Sequence, residues 1–154
     1  DELADLARAV PAATIVVNHL GAPIGYAGVP VDRDPVFGEW RGHIERLVER
    51  PNLVMKLGGM ASIVTRYDAH ARPRPPSSEE FVAERGAYFH HAIGRFGAER
   101  CMFESNFPVD SVAISYGNLW NAYKTIAAAH GAAAGDALLA GTARRVYRLP
   151  RAGP

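Results

Sequence analysis

The chain has 154 residues, 48% hydrophobic and 21% charged, an ordinary globular composition with enough apolar material for one core. Lys and Arg number 17 against 16 Asp and Glu, so the net charge of +1 offers no electrostatic footprint for nucleic acid or an anionic membrane. The single cysteine, Cys101, excludes an internal disulfide and a paired-cysteine zinc site; no apolar run approaches the ~18 residues of a membrane span, and a reducing, cytoplasmic setting is expected.

Leu3, Leu6, Ala7 and Val10 recur at helical spacing behind the acidic Asp1 and Glu2, and Pro11 ends the pattern. This predicts a helix over roughly the first ten residues. Because Asp1 falls directly on that pattern without a leader, the chain is expected to continue upstream. Thr14-Ile15-Val16-Val17 is a β-branched run without alternation, the pattern of a parallel strand buried on both faces, and it leads into Asn18-His19. Asp34-Pro35 then opens a helix whose stripe is Val36, Phe37, Trp40, Ile44, Leu47 and Val48.

A second buried strand is predicted at Leu53-Val54-Met55-Lys56-Leu57, running into Gly58-Gly59. The Arg- and Pro-rich stretch from Tyr67 to Ser78 reads as a long surface loop. Ser77 with Glu80 forms a capping-box pattern for a helix reaching about Arg95. Cys101-Met102-Phe103 is the third strand and carries Glu104-Ser105-Asn106-Phe107-Pro108 at its end. A helix through Leu119, Trp120, Tyr123, Ile126 and Ala127 to Gly131, and a closing helix from Asp136 to Tyr147, complete the series. Strands alternating with helices imply an α/β fold of parallel βα units, and three strands with open edges suit a slice of a larger fold.

Chemistry in parallel-sheet proteins gathers at the carboxyl ends of strands. Each predicted strand ends on a polar group: Asn18-His19, Lys56, and Glu104-Ser105-Asn106. His19 suits a metal ligand or a general acid/base, or equally a hydrogen-bonded histidine filling the mouth of the sheet. Lys56 suits a substrate carboxylate or a buried ion pair. Strand alternation would put Glu104 and Asn106 on one face and Ser105 on the other. Arg66, Arg72 and Arg74 could grip an anionic substrate, or be solvated loop residues. His43, His90, His91 and His130 fall on helices or helix ends, and Trp40, Trp120 and Tyr123 read as core. Gly58-Gly59 lacks the spacing of a phosphate-binding loop.

Val16-Val17-Asn18-His19-Leu20-Gly21-Ala22-Pro23, Pro51-Asn52-Leu53-Val54-Met55-Lys56-Leu57-Gly58-Gly59 and Arg100-Cys101-Met102-Phe103-Glu104-Ser105-Asn106-Phe107-Pro108 resemble the last three strand motifs of the amidohydrolase-related family. Gly141-Thr142-Ala143-Arg144-Arg145-Val146-Tyr147 resembles its terminal helix. The resemblance implies a (β/α)8 TIM barrel, of which residues 1–154 would be the C-terminal portion, the last three βα units, with the N-terminal strands and their His-x-His absent. It also implies hydrolysis of a lactone or amide-like bond, as in lactonases for pyrone dicarboxylates and sugar lactones, with a decarboxylase among the relatives.

The family's strand-six histidine maps onto His19. Its strand-eight Ser-Asp-Trp-Pro motif, whose aspartate is a base or metal ligand, maps onto Ser105-Asn106-Phe107-Pro108. Asn106 thus replaces the aspartate, and an amide takes no proton from water. A divalent metal, zinc, is typical of the superfamily; with Asn106 in place, weak metal binding and metal-independent catalysis are expected. The expected function is opening of a small carboxylated lactone, a small-molecule substrate. Catalysis would fall to His19, Glu104 and Asn106, substrate binding to Lys56, Arg66, Arg72 and Arg74, and water activation to Glu104 or Asp110. Decarboxylation on the same barrel and a non-catalytic ligand-binding barrel are the rivals. The isolated 154 residues are expected to be inactive and prone to aggregate.

Overall fold

The computed structural model describes residues 2–24 and 33–150. Asp1, read above as part of the first helix, lies outside them. Three short strands, β1 (Ile15–Val17), β2 (Leu53–Leu57) and β3 (Cys101–Phe103), form a parallel sheet in the order β1-β2-β3. Ile15 pairs with Leu53 and Val17 with Met55 on one side of β2; Met55 pairs with Cys101 and Leu57 with Phe103 on the other. Helices precede and connect the strands: α1 (Glu2–Ala9), α2 (Pro35–Val48) and α3 (Ser78–Phe96), followed after β3 by α4 (Tyr116–Ala128), α5 (Ala132–Asp136) and α6 (Thr142–Tyr147).

Local chemistry explains most boundaries. Asp34 accepts a hydrogen bond from the backbone N–H of Val36, with Pro35 at the first helical position of α2. Ser77 and Glu80 exchange both bonds of a capping box at the start of α3. Gly97 and Gly131, at φ 80° and 88°, follow α3 and the last turn after α4, conformations that disfavour any residue with a Cβ.

In β2, Leu53, Met55 and Leu57 are fully buried, while Lys56 on the opposite face keeps partial exposure, as strand alternation dictates. Phe89 of α3 and Tyr123 of α4 pack on Phe103, with ring centroids 6.1 Å and 4.6 Å away. Trp40 of α2 is 4.9 Å from Tyr88 and donates its indole N–H to the Leu20 carbonyl at 2.7 Å. The predicted core aromatics thus lie where the stripes placed them.

Three expectations need correction. The stretch from Tyr67 is not a simple surface loop, since it forms a 3-10 turn at Asp68–Ala71 and begins with a tyrosine only 2% exposed. The Tyr67 hydroxyl donates to Glu84 at 2.8 Å and its ring underlies Arg85, which draws the segment onto α3. The closing helix starts earlier than Asp136: it runs from Ala132 and changes to a π turn over Ala137–Gly141 before α6. Strand alternation also stops at Phe103. Asn106 has φ 52°, so a two-residue strand period does not set its direction.

Candidate functional site

The three polar groups expected at strand ends meet at the carboxyl end of the sheet. Glu104 follows β3 directly, its backbone N–H extending the ladder to the Leu57 carbonyl at 3.1 Å. Its carboxylate reaches sideways in both directions. One oxygen lies 2.5 Å from His19 Nδ1 and also accepts from the His19 backbone N–H at 3.3 Å; the other lies 2.6 Å from Lys56 Nζ. The Glu104 side chain is only 13% exposed, so it is a largely desolvated anion with a cation on one side and an imidazole on the other.

Against a carboxylate acceptor, Nδ1 of a neutral His19 must carry the proton. The Nε2 lone pair then becomes the free group of a ring that is 35% exposed. This arrangement suits a general base or an imidazole metal ligand, both of which are oriented by a carboxylate on the second ring nitrogen.

The backbone around His19 is unusual. His19, Leu20, Gly21 and Ala22 all have positive φ, 55°, 55°, 75° and 51°, making one left-handed turn. A non-glycine residue in this region costs of order 1–3 kcal/mol, so three of them persist only where surrounding contacts over-determine them. Those contacts are the Glu104 clasp on His19, the fully buried Leu20 side chain, and the Trp40 bond to the Leu20 carbonyl.

Gly58-Gly59 supplies the space. A Cβ at Gly58 would collide with the side chain and carbonyl of Glu104, and one at Gly59, φ 70°, would stand 2.8 Å from the His19 ring. The glycine pair therefore permits close approach of the histidine and the glutamate, a role that the sequence pattern alone left unassigned. A glycine pair directly after a buried strand is the signal that could have pointed there.

Asn106 belongs to a second layer. Its side-chain amide donates to Asp110 Oδ1 at 2.8 Å, and Asp110 Oδ2 accepts from the Ala61 backbone N–H at 3.3 Å. Asp110 is wholly buried, and that burial pushes its carboxyl up to about 6, against the opposing pull of Asn106, Ala61 and His19. Buried behind Asn106, its carboxylate does not front the solvent from which a hydrolytic water would come.

Two of the three arginines are held by carboxylates outside this cluster. Arg72 is held by Glu84 and Asp68, both at 2.8 Å, and Arg74 by both oxygens of Glu80 at 2.8 and 2.6 Å. Arg66 caps the 3-10 turn Ile63–Thr65 in a left-handed conformation and is exposed. The helix histidines make contacts of their own. His90 and His130 face each other at 3.0 Å between α3 and the turn after α4, and His91 packs on Trp40 at 5.5 Å.

Among the described residues no three His, Cys, Asp or Glu side chains converge as a metal cage, and no helix is long and apolar enough to cross a membrane. Cys101 is buried, and burial pushes its thiol up to about 12, far from a reactive thiolate.

Known proteins share this arrangement of elements. The chain is 33% identical over 138 residues to L-fucono-1,5-lactonase of Burkholderia multivorans, covering 88% of this chain and 43% of that protein. It is 31% identical over 150 residues to an uncharacterised protein of Sinorhizobium fredii, covering 97% and 43%. The crystal structure of an amidohydrolase from Burkholderia multivorans with bound zinc superposes with a TM-score of 0.79 at 28% identity, covering 96% of this chain and 48% of that one. The structure of a proposed 2-pyrone-4,6-dicarboxylic acid hydrolase from Pseudomonas putida shares the fold, with a TM-score of 0.58 at 24% identity, covering 97% of this chain and 50% of that one. The chain thus spans about half the length of the relatives it matches, and its three βα units are part of a TIM barrel. The Amidohydrolase family profile matches residues 1–149, and the chain belongs to that family.

Proposed function

We propose that the complete protein opens a small lactone by attack of water, with residues 1–154 forming the C-terminal part of its barrel and the remaining strands supplied by sequence upstream. The observation that carries this reading is the Lys56–Glu104–His19 chain, which leaves an oriented imidazole nitrogen at the carboxyl end of a parallel sheet. His19 Nε2 takes a proton from water as the water oxygen attacks the lactone carbonyl. The ring C–O bond breaks, and the proton passes from His19 to the departing ring oxygen, so that lactone and water give a hydroxy acid. Glu104 stabilises the imidazolium formed on the way, while Lys56 pairs with the second Glu104 oxygen at 2.6 Å.

The proton-accepting work is thereby assigned to His19, with Glu104 as its support and Asn106 contributing as an acceptor rather than a base. Arg66, exposed and without the carboxylate clamps that hold Arg72 and Arg74, is the candidate for a substrate carboxylate. Arg72 and Arg74 would first have to leave Asp68, Glu84 and Glu80. A sugar lactone, rather than a strongly anionic one, accordingly suits the site best.

Zinc is bound in the solved Burkholderia multivorans relative. In this chain the donor that fits such an ion is His19 Nε2, with Glu104 on the other ring nitrogen. An ion bound there would take the lone pair that otherwise accepts the proton, so His19 would serve as its ligand in place of acting as the base, and further ligands would have to come from the rest of the barrel. A zinc held there would supply polarisation of the lactone carbonyl. The test is an acid-release assay of the complete protein on L-fucono-1,5-lactone, other sugar lactones and a pyrone dicarboxylate, beside its His19→Gln variant. Hydrolysis that depends on His19 supports the proposal. Carbon dioxide release would point instead to decarboxylation, and binding without turnover to a non-catalytic barrel.

A further inference from the structure

We propose that Asp110 is a positioning residue that decides which way the Asn106 carboxamide faces. It turns the amide nitrogen inward and presents the carboxamide oxygen to an O–H group of the substrate or of the attacking water. This inference rests on the lactone-opening reading and adds a residue to its machinery.

The argument begins with burial. Asp110 has no exposed surface, so it touches no ligand itself and acts only through its partners. Those partners are two N–H donors from different loops. Asn106 Nδ2 lies 2.8 Å away in the loop after β3, and the Ala61 backbone N–H lies 3.3 Å away in the loop after β2. An ionised carboxylate only accepts, so the nitrogen of Asn106 must be the atom that points at it. Oxygen and nitrogen diverge from the carboxamide carbon; fixing the nitrogen on Asp110 turns the oxygen away from it.

The backbone supports the same orientation. Asn106 is the non-glycine residue with positive φ in this loop, and asparagine tolerates that conformation better than most. His19, Glu104 and Tyr123 are the other titratable groups whose fields reach Asp110, two of them the working pair of the site.

Asparagine at position 106 and aspartate at position 110 thus form one device. A carboxylate at 106 would bring two anions into hydrogen-bond contact, and one would have to stay protonated. The carboxamide avoids that conflict, keeps an oxygen for the ligand, and ties the loop of β3 to the loop of β2.

The test uses the near-isosteric variant Asp110→Asn in the complete protein. The Ala61 N–H cannot reverse, so the new carboxamide must give its oxygen to Ala61 and its nitrogen to position 106. Asn106 then has to flip, its nitrogen facing outward. Two readouts follow. By NMR, the Asn106 side-chain amide protons should exchange slowly in the parent and at least about tenfold faster in the variant. On the best sugar lactone of the panel, kcat should fall roughly 10- to 100-fold with KM changed less than about threefold, the scale of a misaligned contact.

The exchanged pair Asn106→Asp with Asp110→Asn restores an outward oxygen and should recover kcat to within about fivefold of the parent. Absence of lactonase activity in the parent would sink the functional reading while leaving the exchange readout to judge this one. If Asp110→Asn changes neither exchange nor kcat beyond about twofold, the positioning role is wrong. Should that variant fail to fold, the parent decides alone: Asn106 amide protons exchanging at the rate of a solvated side chain would overturn the proposal.

Discussion

In the helical layer, α3 starts on a reciprocal capping box, its buried face is Phe81, Tyr88, Phe89 and Phe96, and its end is a glycine of positive φ. At the mouth of the sheet, His19, Leu20, Ala22 and Asn106 hold φ of 51–55° without being glycine, and a carboxylate, an imidazole, an ammonium and a second, buried carboxyl lie side by side. The first region obeys propensity, capping and apolar burial at every level. The second violates several of these rules and is held by contacts to the layer behind it. Trp40 and Leu20 show the connection most directly, since a helix side chain holds the strained turn through a backbone carbonyl. Strained backbone and close charge pairs are thereby concentrated where local preference is weakest, the distribution expected of a candidate site on a stable scaffold.

Substitutions should separate the two regions. The largest effect on activity is expected for His19→Gln, a loss of roughly 10²–10⁴-fold in lactone hydrolysis as the proton acceptor disappears. Its melting temperature should stay close to the parent's, because the left-handed turn is held by Leu20 and Trp40 as well. Parallel loss of fold and activity would erase the contrast between mouth and scaffold. Phe89→Ala should do the reverse. Removing a fully buried ring that packs on Phe81, Phe103 and Tyr123 should lower stability by about 3–5 kcal/mol in urea unfolding, with kcat of the folded fraction little changed.

Asp110 sharpens the comparison through pH. In the folded chain its carboxyl holds the proton to about 6, whereas an unfolded aspartate releases it near the ordinary value of 3.8. Between these limits the folded state binds the extra proton, so stability is greatest at the acid end and falls as pH rises through about 6, by about 2–3 kcal/mol in all. Asp110→Asn should remove that contribution, so its stability relative to the parent rises from pH 4 to pH 8. A constant difference across that range, measured by denaturant unfolding, would contradict the burial argument. The smallest effect is expected at the cap: Ser77→Ala should cost about 1 kcal/mol and leave turnover untouched, since it removes one side of the α3 capping box far from His19.

Much of this architecture was legible in residues alone. The β-branched run at Ile15–Val17, the buried run at Leu53–Leu57, the Asp34-Pro35 start and the Ser77–Glu80 box each carry a local physical preference that the fold honours. The polar residues at three strand ends meet at one end of the sheet, because parallel strands in register bring their carboxyl ends together whatever the helices do. Tyr67 was misread because an aromatic residue before an Arg- and Pro-rich segment carries no periodicity, and only α3, with Glu84 and Arg85, supplies its burial.

The pairings within the site were decided by tertiary structure. Glu104 and His19 are 85 residues apart, so no local pattern encodes their contact. It exists because β1 and β3 flank β2 and because Gly58-Gly59 leaves room between them. Likewise, arginine composition suggested an anion grip, but Arg72 and Arg74 find Glu84 and Glu80 on the neighbouring helix instead. The direction of Asn106 depends on Asp110, four residues on, and on Ala61 from another loop. Sequence by itself determined the elements, their order and the end of the sheet where polar residues gather, since these follow from short-range sterics, caps and apolar spacing. Which charged group meets which was settled only by the fold, since ion pairing depends on a few ångströms of approach between segments that the sequence keeps far apart.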